Sequence, residues 1–117
     1  MRRMSFAMTE RQLLDGSKTV TRRLGWADLK PGDRLLAVRK CQGLKRGERQ
    51  VVLGEIEVKA VKREALWDIR WHDGDCVREG FPELYAVGFV LMFCDANRCR
   101  TDVTVTWIEF RLVRRIA

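Results

Sequence analysis

The chain has 117 residues, 46% of them hydrophobic, and carries a formal net charge of +7 from 23 Lys and Arg against 16 Asp and Glu. That is the size of one domain, spanning residues 1–117, with enough apolar side chains for a real core, which excludes a disordered chain. No apolar run approaches the roughly 20 residues that cross a bilayer, and the basic start Met1-Arg2-Arg3-Met4-Ser5 lacks the apolar stretch of a secretory signal, so a cytoplasmic protein is expected.

In chain order, Arg3 to Ala7 reads as a short strand, with Met4 and Phe6 alternating with Arg3 and Ser5. Thr9 to Asp15 reads as a short helix, with Thr9 as N-cap and Gly16 as its stop. The run Gly16-Ser17-Lys18-Thr19-Val20-Thr21-Arg22-Arg23 follows. If extended, it places Thr19, Thr21 and Arg23 on one face and Val20 and Arg22 on the other. Leu29 to Asp33 is a turn by its Pro31-Gly32 pair, and Arg34 to Arg39 a strand. Cys41 to Gln50, with Gly43, Gly47 and three basic residues, reads as an exposed hairpin loop.

Val51 to Glu64 alternates as a long half-buried strand, with Leu53, Glu55, Glu57 and Lys59 opposite Gly54, Ile56, Val58 and Ala60. Ala65 to Trp71 is an irregular bridge. Asp73 or Asp75 is a cap for a short helix ending at Gly80, and Leu84 to Asn97 reads as a further helix after Pro82. Asp102 to Arg115 is a closing strand, with a change of phase near Trp107 and Ile108. Strands interleaved with a few short helices make an α+β pattern, and strands of this length can curl into a small barrel, which removes exposed edges.

Four cysteines, Cys41, Cys76, Cys94 and Cys99, form no C-x-x-C pair. Joining Cys76, Cys94 and Cys99 with His72, the only histidine, into a zinc site requires unusual geometry. Reduced thiols and no metal are therefore expected. The Gly-Ser-Lys-Thr of the run is not a phosphate loop. That pattern needs Lys directly after Gly and another Gly five residues before it, and neither is present, so no P-loop nucleotide binding is expected. The surplus of basic residues suits a polyanionic partner such as nucleic acid.

The ordered set Gly16-x-Lys18-Thr19-x-Thr21-x-Arg23, Lys30-x-Gly32-Asp33, Gly54-Glu55-Ile56-Glu57-Val58, Glu79-Gly80-Phe81 and Trp107-Ile108-Glu109-Phe110 resembles the ASCH domain, over about residues 6–112. The resemblance implies a PUA-like fold: a small mixed, mostly antiparallel β-barrel with two or three short flanking helices. It also implies a cleft, lined by the first motif and the Glu79 segment, that binds RNA or a nucleobase-like ligand without a cofactor. One branch, the bacterial N4-acetylcytidine amidohydrolases, carries a catalytic Lys, Thr and Glu; by motif position these fall on Lys18, Thr21 and Glu79. Another member is described as a ribonuclease, so the fold does not choose the reaction.

Amide hydrolysis needs a nucleophile, a base and a group that handles the departing amine. Thr21 attacks the acetyl carbonyl or positions a water to do so. Lys18 is the base if burial and Arg22 or Arg23 lower its pKa. Glu79 protonates the cytosine amine or holds it. Lys18 and Thr21 are three apart and converge only if Lys18 lies in the turn before the strand. The bland alternatives are a lysine serving the preceding helix end, a threonine present for its strand propensity and a solvated loop acid. Relative to the amidohydrolases, the Gln42–Gln50 loop and the Cys94–Asp102 segment look like additions that extend the surface toward a polynucleotide. Lys45, Arg46 and Arg49 would then meet phosphates, and Trp26, Trp67 or Trp71 would stack a base. Thr19, Arg22 and Arg23 complete the candidate binding residues.

Overall fold

A computed structural model describes residues 1–117. Five strands, β1 (Arg3–Ser5), β2 (Val20–Arg23), β3 (Arg34–Val38), β4 (Val52–Ala65) and β5 (Thr104–Arg115), form one sheet in the order β1-β3-β4-β5-β2. Only the β1–β3 pair is parallel; the others are antiparallel. The helices are α1 (Glu10–Asp15), α2 (Asp75–Arg78) and α3 (Ala86–Asn97), with a 3-10 helix over Leu66–Trp71 where the sequence suggested an irregular bridge. No helix is long and apolar enough to cross a membrane.

The expected α+β architecture is present, but the sheet does not close into a barrel. Strands β1 and β2 remain its two edges, and a side chain spans the gap: the Arg23 guanidinium on β2 donates to the Ser5 carbonyl on β1 at 2.6 Å.

Strand β4 departs from simple alternation. Leu53, Ile56 and Val58 are all buried, although Leu53 differs in parity from the other two. Leu53 is an extra residue against β3, and the β4–β5 register skips Val113 of β5 beside Glu55 and Lys59 of β4 beyond Val58. Such an extra residue changes which side chains share a face. Gly54 leaves no room for a side chain, because a Cβ there would lie 2.6 Å from the Arg114 carbonyl oxygen.

Two apolar clusters occupy opposite sides of β5. Ile108 and Phe110 join Met4, Phe6, Leu13, Leu35, Ile56 and their neighbours in the sheet's main core. Val105 instead joins Leu66, Ile69, Phe89, Val90 and Phe93 beneath the 3-10 helix and α3. The change of phase near Trp107 is therefore a strand changing the face it buries. The Cys41–Gln50 segment joins antiparallel β3 and β4 as an exposed loop.

Candidate functional site

Gly16 ends α1 in the left-handed conformation (φ 83°), which favours glycine. The chain then reverses through Ser17 and Lys18, whose N–H donates to the Gln12 carbonyl at 3.0 Å, and Thr19, whose N–H donates to the Arg78 carbonyl at 2.8 Å, before β2 begins at Val20. Lys18 thus precedes the strand. Extended geometry from there sends Lys18 and Arg22 to one side, where both reach Glu79, and leaves Thr21 and Arg23 hydrogen-bonded to each other.

Lys18, Arg22 and Glu79 are 4%, 2% and 3% exposed. Lys18 Nζ donates to the Glu79 carbonyl at 2.7 Å and to Oε1 of the same residue at 3.0 Å. Arg22 donates to Glu79 Oε2 at 3.1 Å and to Asp75 Oδ2 at 2.6 Å. Trp107 Nε1 donates to the same Asp75 oxygen at 3.1 Å, and Arg78 reaches both Asp75 and Glu109. Glu64 lies 3.7 Å from Arg22 without a hydrogen bond. Glu79 is thus clamped between two cations, with both oxygens engaged as acceptors.

Burial pushes the Lys18 ammonium below its ordinary value; Glu79 opposes the shift, and the charges of Arg23 and Arg22 assist it. Burial also works against the Arg22 charge, but Glu79 and Asp75 outweigh it and the guanidinium is held more firmly protonated. For the Asp75 carboxyl, burial is outweighed by Arg22, so its pKa falls. Arg23, pushed down to about 10 by burial, forms no direct ion pair. Its Nε donates to Thr21 Oγ1 at 3.0 Å, and its guanidinium lies 4.9 Å from the centre of the Phe6 ring.

Lys18, Thr21, Arg22, Arg23 and Glu79 line one cavity of about 230 Å³. Ser5 and Thr9 add to its polar wall, and Phe81, Phe89, Met92 and Phe93 form an apolar wall carried mainly by α3. A polar cluster facing an aromatic wall suits a flat ligand with one hydrogen-bonding edge. The volume is below the roughly 300–1,000 Å³ of sites for drug-sized ligands.

The other candidates lie elsewhere. Thr19 lines a separate groove between α1 and β5. Trp26 packs against the main core under the Arg2 guanidinium, 4.3 Å away, and does not line the cavity. Lys45 and Arg46 are exposed on the β3–β4 loop. Trp67 packs in the second cluster, while Trp71 is exposed beside Arg70. Asp75 is not a cap: Gly74 holds that position and gives no side-chain bond. Sequence reasoning missed the aromatic wall, although Phe89 and Phe93 at i, i+4 on one helix are its visible signal. No group of three or more His, Cys, Asp or Glu side chains is arranged to hold a metal ion.

No protein-family model matches the sequence, and no curated protein matches it. Solved structures do. A mutant ZmASCH protein from Zymomonas mobilis matches with a TM-score of 0.63 at 15% identity, over 99% of this chain and 70% of that one. An ASCH domain from Lactobacillus crispatus matches with a TM-score of 0.54 at 16% identity, over 97% and 80%. The chain has the ASCH-domain fold. A hypothetical protein, PH0355, matches with a TM-score of 0.64 at 16% identity over 96% of each chain. The structural likeness establishes the fold alone, and at such identities activity is left to be argued from the site.

Proposed function

We propose that the cavity binds a single nucleoside and hydrolyses an amide on its base, as in removal of the acetyl group from N4-acetylcytidine. The observation that carries this reading is that Lys18, Thr21 and Glu79 line one cavity together with Phe81, Phe89 and Phe93. Such a space suits one base better than a polynucleotide groove, and the Gln42–Gln50 loop does not line it.

In this mechanism the buried Lys18, whose pKa is lowered, takes a proton from Thr21 Oγ. The oxygen attacks the acetyl carbonyl, and Arg23, the only guanidinium of the wall without an ion pair, stabilises the charge that develops. Lys18 returns the proton to the departing cytosine amine, and water hydrolyses the acetylated Thr21 to acetate by the same base. Of the two roles open to Glu79, its engaged oxygens favour accepting an N–H from the base over donating a proton.

The test is acetate and cytidine release from N4-acetylcytidine. Wild type turns over, and Lys18→Ala and Thr21→Ala each lose about 10²–10⁴-fold in rate. Equal rates in wild type and Lys18→Ala overturn the mechanism. A second reading, an RNA-binding surface without chemistry, is favoured by Lys45, Arg46 and Arg49, which are exposed on one loop. It predicts salt-dependent RNA binding that weakens uniformly across sequences when these residues are neutralised.

A further inference from the structure

Helix α3 ends at Arg98, held left-handed at φ 51° although it is not glycine. Both Arg98 and Cys99 direct their N–H groups to the Cys94 carbonyl, Cys99 at 3.2 Å. The Cys99 bond is the 6→1 bond of a Schellman-type turn, and a side-chain contact between the two residues it joins commonly accompanies it. Here those two side chains are both thiols. Cys94 and Cys99 are free, half-buried and packed against the second apolar cluster.

We propose that Cys94 and Cys99 are an oxidation site that forms a reversible intramolecular disulfide across the C-terminal turn of α3. The separation of five residues is too wide to be noticed as a C-x-x-C motif, and the turn geometry supplies the proximity that spacing does not. Arg98 contributes by taking a backbone conformation that L-residues rarely adopt.

The chemistry needs a two-electron oxidant, and the class we name is a hydroperoxide. The Cys94 sulfur attacks the peroxide oxygen, the O–O bond breaks and a sulfenic acid forms with release of water or an alcohol. Cys99 sulfur then attacks the sulfenic sulfur, loses its proton, and the S–OH oxygen leaves as water. Two thiols are oxidised and one peroxide is reduced. Burial and Cys94 beside it push the Cys99 thiol up, so its attack in the closing step is faster as pH rises. Phe93, Ala96 and Asn97 of this turn line the cavity, so the cross-link also fixes one of its walls.

The test is mild oxidation of the full chain with hydrogen peroxide, followed by alkylation and peptide mapping without reductant. The expected result is a monomer that has lost two hydrogen masses, with a peptide joining Cys94 to Cys99. Its Tm rises by about 5–10 °C and returns with dithiothreitol. Cys94→Ala and Cys99→Ala each abolish the product and the shift, whereas Cys41→Ala and Cys76→Ala keep both. The mapping on wild type does not depend on how any variant folds. A cross-link through Cys41 or Cys76, intermolecular products only, or oxidation to sulfinic acid without a 94–99 peptide overturns the proposal.

Discussion

Replacing Glu79 with Gln is the most informative perturbation of the buried cluster, because one carboxylate compensates two cations. The Lys18 and Arg22 contacts are 3.0 and 3.1 Å, and at an effective dielectric of about 20 each is an attraction of about 5 kcal/mol before desolvation is charged against it. Arg22 keeps Asp75 at 2.6 Å, whereas Lys18 keeps only the Glu79 backbone carbonyl. Removing one partner of a buried pair costs about 3–5 kcal/mol, and Glu79→Gln falls in that range because a lysine can release its proton and limit the loss. Lys18→Met is the contrasting variant. It leaves Glu79 paired with Arg22 but takes the donor from two acceptors, the Glu79 carbonyl and Oε1, at about 1–3 kcal/mol each. Urea titration at pH 7 of wild type and both variants measures the two losses. The reasoning is refuted if either variant lies within about 1 kcal/mol of wild type.

Three further outcomes follow from the same geometry. Lys18 has a folded-state pKa below the ordinary 10.5, so the native state gives up its proton first. Stability relative to Lys18→Met therefore rises as pH climbs from the native pKa toward 10.5 and is flat below that window, which urea melts at stepped pH will show; a fall over that range contradicts the burial argument. Gly54→Ala destabilises by about 1–3 kcal/mol or more, since the new Cβ meets backbone at 2.6 Å; thermal melting reads the loss. Arg98→Gly raises stability by about 0.5–1 kcal/mol by relieving the left-handed arginine, read from the urea midpoint.

Local physics made most of the fold legible. Val20 to Arg23, Arg34 to Val38 and Val52 to Ala65 are strands where β-branched and alternating residues called for them, and Gly16 stops α1 because only its αL conformation lets the chain turn back. What escaped depends on distance or on shape. Glu79 lies 61 residues from Lys18, and resemblance, not spacing, connected them. Asp75 carries the same letter as a helix cap and as the partner of a buried arginine; which it becomes depends on where β2 passes. The extra residues Leu53 and Lys59 of β4 and Val113 of β5 break a parity that the sequence displays intact. Trp26 promised a stacking platform as any tryptophan near a basic motif does, but it packs on the core with Arg2 above it. The closing of the barrel was the largest overreach: strand lengths permit a cylinder, and only hydrogen bonds between β1 and β2, which the sheet order lacks, would complete it.

The central claim is that one base enters the cavity between the Lys18–Thr21–Arg23 wall and the α3 aromatics. A two-dimensional amide NMR titration with cytidine, the product of the proposed reaction, tests it most directly. The account predicts that shifts concentrate at Thr9, Thr21, Arg23, Phe81, Phe89, Phe93 and Asn97 while Lys45 and Arg46 stay unmoved. Shifts confined to the 42–50 loop, or none at saturating nucleoside, would contradict it.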